Sequence, residues 1–116
     1  MILSALEKKG LLDQVNLIIT SDHGMANITN NVNVSHYLDI KDESIQIVET
    51  GAYLSLNVLD ANLGNFVEVL ERLKKMPHGA VYKREDFPLK LRYSKHGRIP
   101  QIIVLGNEGT FYKYEV

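Results

Sequence analysis

The chain has 116 residues, a formal net charge of −1 and a hydrophobic content of 45%, a composition that suits one globular unit and excludes disordered and fibrous classes. Its near-neutral charge gives no electrostatic reason to expect nucleic acid or an acidic membrane as partner. There is no cysteine, so neither a disulfide framework nor a thiolate metal site is available.

The first predicted element is a helix over residues 2–9, with Ile2, Leu3 and Leu6 on one face, Lys8 and Lys9 at the negative carboxyl end and Gly10 as a left-handed cap. Its apolar start is too short for a signal peptide, and no stretch of the chain reaches the length of a transmembrane helix. Leu11, Leu12 and Val15 lead into Asn16-Leu17-Ile18-Ile19-Thr20. An apolar run without alternation predicts a strand buried on both faces, the condition of a central parallel strand under helices. It ends in Ser21-Asp22-His23-Gly24-Met25. Open α/β sheets present ligands just past the carboxyl ends of their strands, and Gly24 lets the backbone turn sharply or approach a ligand closely. A hard carboxylate oxygen beside a neutral imidazole makes Asp22 and His23 candidate ligands of a divalent metal, zinc above all. The same residues also fit an ordinary turn, with Asp22 as a cap and His23 solvated.

Residues 26–33 are rich in asparagine and read as an irregular loop over the site, followed by one helical turn within residues 34–38. Two N-glycosylation sequons, Asn27-Ile28-Thr29 and Asn33-Val34-Ser35, stand where about one is expected by chance, which leans toward a secretory history. Residues 45–49 and 52–58 read as strands joined closely enough to pair antiparallel. Asp60 or Asn62 can cap a helix whose apolar face is Leu63, Phe66, Val67, Leu70 and Leu73, with Lys74 and Lys75 in its last turn and Pro77 as its stop. Residues 80–83 add a short strand. Beyond them Arg84, Lys90, Arg92, Lys95 and Arg98 interleave with Phe87 and Tyr93. Such a stretch suits single-stranded nucleic acid or an anionic substrate, or is a solvated connecting loop, the reading that Asp86, Pro88 and the total charge favour. Residues 101–105 read as a second buried parallel strand, and residues 110–114 as a last strand. The elements together predict an α/β fold: one mixed sheet with flanking helices, parallel near Asn16 and Gln101 and antiparallel around Ala52.

The string Asn16-Leu17-Ile18-Ile19-Thr20-Ser21-Asp22-His23-Gly24-Met25 resembles the second metal-ligand motif of the nucleotide pyrophosphatase/phosphodiesterase family, a branch of the alkaline phosphatase superfamily. Val81-Tyr82-Lys83-Arg84-Glu85-Asp86-Phe87-Pro88, then Leu91-Arg92-Tyr93, then Arg98-Ile99-Pro100-Gln101-Ile102-Ile103-Val104-Leu105 and Glu108-Gly109 follow the order and approximate spacing of that family's later catalytic-domain segments. The Ser-Asp-His-Gly core alone is shared with sulfatases; the combination is the specific signal, and it covers nearly the whole chain.

The resemblance implies that residues 1–116 are a fragment of a single phosphodiesterase catalytic domain, cut at both ends, with a partial alkaline-phosphatase-like core. It implies two zinc ions at a substrate phosphate, a threonine nucleophile, and Asp22 and His23 as ligands of the zinc that activates that nucleophile. The nucleophile and the other upstream ligands would precede the segment that begins at Met1, and the final histidine ligand would follow the segment that ends at Val116. No catalytic residue is then expected in this chain, at most a partial zinc site, and the isolated chain is expected to be inactive. His36, His78 and His96 do not fall at the family's ligand positions. The implied substrate is a small phosphodiester, a nucleotide or lipid head group, and the implied location is extracellular, or the ectodomain of a membrane-anchored parent. The competing readings are a sulfatase-like hydrolase of the same superfamily, a non-catalytic truncated or degenerate paralogue, and an anion-binding module built on the stretch from Arg84 to Arg98.

Overall fold

The structure, a computed structural model, describes residues 1–39, 41–59 and 63–115. A helix, α1 (Ile2–Lys8), opens the chain, and Gly10 follows it at φ +65°, the left-handed conformation expected of a cap. The strands are β1 (Asn30–Asn33), β2 (Ile45–Glu49), β3 (Tyr53–Val58), β4 (Gly79–Lys83), β5 (Ile102–Gly106) and β6 (Thr110–Lys113), with the helix α2 (Leu63–Leu73) between β3 and β4.

Four strands form an antiparallel sheet in the order β2-β3-β5-β4. Its inward face is set by alternation: Leu54, Leu56 and Val58 point one way, and the register pairs Leu54 with Val104 and Leu56 with Ile102. α2 closes that face with Val69, Leu70 and Leu73, and Met76 joins from the turn beyond it. The other two strands, β1 and β6, pair in parallel from Asn30 with Thr110 to Asn33 with Lys113. Gly51 joins the two sheets, donating its N–H to the Tyr112 carbonyl at 3.0 Å and accepting from the Tyr112 N–H at 2.7 Å.

The mixed α/β class and the antiparallel pairing around Ala52 agree with the sequence, as does the helical turn, a 3-10 turn at Val34–His36. Four expectations are corrected. Residues 16–20 form no strand: the segment runs unpaired and in solvent, with Ile18 85% and Ile19 83% exposed. A two-faced apolar ribbon becomes a buried strand only where neighbours take its N–H and C=O groups and cover both faces, and none of the six strands lies beside it. The strand expected from Gln101 begins at Ile102 and pairs antiparallel on both sides. The asparagine-rich loop ends in β1, because the β6 backbone and the burial of Val32 outweigh the poor strand propensity of asparagine. On α2, Val69 is buried where Val67 was expected, and Val67 is 48% exposed; Asp60 and Asn62, the expected caps, lie outside the described residues.

His78 is a node that the sequence does not announce. It holds a left-handed backbone at φ +63°, and its carbonyl accepts hydrogen bonds from the Asn107 N–H (2.8 Å), Thr110 Oγ1 (3.2 Å) and Tyr112 Oη (3.3 Å). The basic stretch is a connecting loop with 3-10 turns at Arg84–Asp86 and Leu89–Leu91. Arg84 Nη1 donates to the Ile99 carbonyl at 3.1 Å, and Phe87 is buried between the edges of Tyr82 and Tyr93, so these groups brace the loop. Among the described residues no helix is long and apolar enough to cross a membrane.

Candidate functional site

In a fully extended chain Asp22 and His23 would project to opposite sides, because successive strand side chains alternate. The backbone instead bends at Asp22, and the two side chains come together: His23 Nε2 lies 3.4 Å from Asp22 Oδ2. Both are open to water, with side-chain exposures of 84% for Asp22 and 71% for His23.

The second polar atom of each side chain is occupied. Asp22 Oδ1 accepts the His23 N–H at 3.0 Å. His23 Nδ1 lies 2.9 Å from the Gly24 carbonyl; a carbonyl oxygen can only accept, so Nδ1 is the donor in that contact and Nε2 is the ring nitrogen turned to Asp22. Ser21 Oγ donates to the His23 carbonyl at 2.6 Å and lies 3.5 Å from Asp22 Oδ1. The result is one carboxylate oxygen, Asp22 Oδ2, facing one imidazole nitrogen, His23 Nε2. Two donors that hold a tetrahedral ion with bonds of about 2.1 Å stand about 3.4 Å apart, so the pair is spaced as zinc requires. An Nδ1–H donated to a carbonyl is also the arrangement that fixes metal-binding histidines in orientation and tautomer.

The pair accounts for two ligand positions. Among the described residues no group of three or more histidine, aspartate or glutamate side chains is assembled. Of the other histidines, His96 Nδ1 accepts the Arg98 N–H at 3.1 Å, His78 gives its backbone carbonyl to the node at β6, and His36 and His78 line a hollow beside β1. Thr20 Oγ1 reaches the Ser21 carbonyl at 3.4 Å, a backbone role like that of Ser21. The convergence does not use the conformational freedom of glycine, since Gly24 is not among the residues at positive φ; its carbonyl is what the site uses. That acceptor was missed because any residue supplies a carbonyl, whereas Ser21 does what a hydroxyl at such a chain bend is expected to do and satisfies a backbone group.

Beside the pair, Met25, Ala26, Asn27 and Thr29 line an open hollow of about 720 Å³, closed on its far side by Glu108 and Gly109. Gly109, at φ +76°, accepts the Thr29 N–H (2.8 Å) and the Asn30 N–H (3.0 Å) on its carbonyl, and a Cβ there would lie 2.5 Å from Thr29 Oγ1. The segment after the pair is thus anchored to the turn before β6.

Comparison with known proteins bears on what such a site serves. The family model described as type I phosphodiesterase / nucleotide pyrophosphatase matches residues 1–116. An ectonucleotide pyrophosphatase/phosphodiesterase of Caenorhabditis elegans is 34% identical over 116 residues, covering 98% of this chain and 15% of the relative. Human ectonucleotide pyrophosphatase/phosphodiesterase family member 5 is 36% identical over 111 residues (93% and 22%), and a mouse bis(5'-adenosyl)-triphosphatase is 34% identical over 103 residues (86% and 21%). The solved structure of human ectonucleotide pyrophosphatase/phosphodiesterase 5 superposes with a TM-score of 0.82 at 30% identity, over 98% of this chain and 30% of that one. An inactive variant of the murine protein in complex with AMP gives 0.80 at 27% identity, over 96% and 29%. The chain therefore spans less than a third of each of these relatives.

Proposed function

Because the chain belongs to the type I phosphodiesterase / nucleotide pyrophosphatase family, we propose that it is part of the catalytic domain of an extracellular, zinc-dependent phosphodiesterase or pyrophosphatase, and that Asp22 and His23 are two ligands of one zinc ion. The observation that carries this reading is the 3.4 Å convergence of Asp22 Oδ2 and His23 Nε2 with their partner atoms already hydrogen-bonded. Bound there, zinc would supply positive charge for the phosphoryl oxygens and acidify a coordinated hydroxyl. The residues of this chain bind and orient: Asp22 offers one anionic oxygen, the Gly24 carbonyl holds the His23 ring, and the exposed bend leaves the pair open to a substrate.

Two donors hold zinc weakly, since protein sites use three or four. The reading therefore makes residues 1–116 one portion of a domain whose remaining ligands and threonine nucleophile come from other polypeptide, and makes the isolated chain inactive. The relatives' names, among them a bis(5'-adenosyl)-triphosphatase and a complex with AMP, support a small phosphodiester or pyrophosphate as substrate, a nucleotide or a lipid head group. The extracellular placement rests on the "ecto" relatives and the two sequons. Asn27 is exposed but awkwardly near Asp22 and His23 for a bulky glycan, whereas Asn33 Oδ1 accepts the Ser35 N–H at 3.1 Å and caps the turn that follows.

A chimera tests the reading. With zinc, the 116-residue chain should not hydrolyse bis(p-nitrophenyl) phosphate above background. Transplanted into the human relative in place of its matched segment, the chain should support hydrolysis. Asp22→Ala in the chimera should lower kcat on the order of 100-fold, at least what loss of a residue behind a metal ligand costs. Full activity of the Asp22→Ala chimera would overturn the assignment of Asp22.

A further inference from the structure

We propose that Ser21 is a positioning residue for the Asp22–His23 pair: its hydroxyl holds the bend that turns two adjacent side chains toward one point. The inference rests on the reading of that pair as metal ligands, and the geometry it explains is present without a metal.

Something must hold the bend, because the relaxed state of this segment is extended and would send Asp22 and His23 apart. Burial cannot do it, since every residue from Leu12 to Thr29 is exposed. Strand pairing cannot do it either, as no strand lies beside the segment. Local contacts remain: the 3.4 Å approach of Asp22 Oδ2 to His23 Nε2, the 3.5 Å approach of Ser21 Oγ to Asp22 Oδ1, and three shorter hydrogen bonds. Two are made by the pair itself, from the His23 N–H to Asp22 Oδ1 and from His23 Nδ1 to the Gly24 carbonyl. These set which atoms of each side chain stay free. The third, from Ser21 Oγ to the His23 carbonyl at 2.6 Å, spans the bend from a residue outside the pair.

A hydroxyl that donates to the carbonyl two residues on is a local side-chain-to-backbone bond of the kind that competes with extended structure. Its reach to the His23 carbonyl fixes the peptide between His23 and Gly24, and the Gly24 carbonyl that takes the Nδ1 proton hangs from the next one. Removing the hydroxyl frees that peptide, and with it the acceptor that sets the tautomer of the ring.

The test compares the wild-type chain with Ser21→Ala, Ser21→Thr and Thr20→Ala, measuring the 15N shifts of the His23 ring without metal and then the affinity for Zn2+ alone. At a pH where the ring is neutral, the Nδ1–H tautomer should dominate in wild type and Ser21→Thr. Ser21→Ala should shift the ring toward the Nε2–H tautomer and weaken Zn2+ binding about fivefold, the equivalent of one ordinary hydrogen bond. Thr20→Ala should leave both readouts unchanged. Far-ultraviolet circular dichroism should be the same in all four, because the bend lies outside the core. The proposal is overturned if Ser21→Ala keeps the wild-type tautomer, or if Ser21→Thr loses it as Ser21→Ala does. A tautomer that responds while Zn2+ ignores His23 would sink the metal reading and leave the positioning role standing; the reverse result would do the opposite.

Discussion

Tyr112 shows how much a single side chain in this fold is asked to do. It is fully buried, its hydroxyl donates to the His78 carbonyl at 3.3 Å, and a Cβ on Gly79 would lie 2.0 Å from that oxygen. Position 79 is therefore closed to any larger residue unless the ring moves. Burial pushes the Tyr112 phenol above its ordinary value of 10. The neutral form is the one the fold favours, so this contribution to stability is complete below pH 10 and is lost as pH rises through the folded value. Following tyrosinate absorbance and circular dichroism together should show the last tyrosine ionising with unfolding, and Tyr112→Phe should shrink that alkaline loss. Tyr53 is also raised, first by burial and then by Tyr93 and Glu49, and should account for what persists. At this scale the sequence was informative about side chains and silent about backbone acceptors. Asp22 and His23 stand out as residue types, and a hydroxyl such as that of Ser21 is expected to satisfy a nearby backbone group. The Gly24 and His78 carbonyls are not legible, since any residue supplies a carbonyl.

Among the elements, residues 16–20 and β5 pose the same question with opposite answers. Both are short apolar runs without alternation, and periodicity gives them the same reading. β5 is flanked by β3 and β4 and buries Ile102, Ile103 and Val104, whereas residues 16–20 have neither neighbours nor cover. Composition predicts that a segment can be a central strand; partners decide whether it is one. β5 finds its neighbours in β3 and β4, far from it along the chain, whereas among the described residues no strand lies beside residues 16–20. Amide hydrogen exchange should separate the two by orders of magnitude, with residues 16–20 exchanging at nearly the rate of an unfolded chain and β5 only through global opening. Comparable protection of both would mean that the segment has found a partner. The phase error on α2 has a similar origin: Val67 and Val69 are alike in type, and where the helix sits over β3 determines which is buried.

As a whole the molecule is not compact. Its radius of gyration is 20.0 Å, with extents of 65 × 31 × 25 Å, against about 13 Å for a compact domain of this length. The excess lies in the amino-terminal arm, where α1 buries nothing and residues 12–29 are exposed, while β1 to β6 enclose the core. The same arm superposes on a solved relative of which this chain covers 30%. The superposition covers 98% of this chain, so it takes in the arm as well as the core. The α/β class, the antiparallel strands and the Asp22-His23 motif were legible because each is a local pattern. The arm was not, because an apolar run does not say which neighbours it will have.

The most direct test is a Zn2+ titration of the 116-residue chain followed by the ring nitrogens of its four histidines. The expected result is a weak isotherm in which Nε2 of His23 alone shifts, and which Asp22→Ala abolishes. Zn2+ seated first at His36, His78 or His96, or a His23 response that survives Asp22→Ala, would contradict the account at its centre.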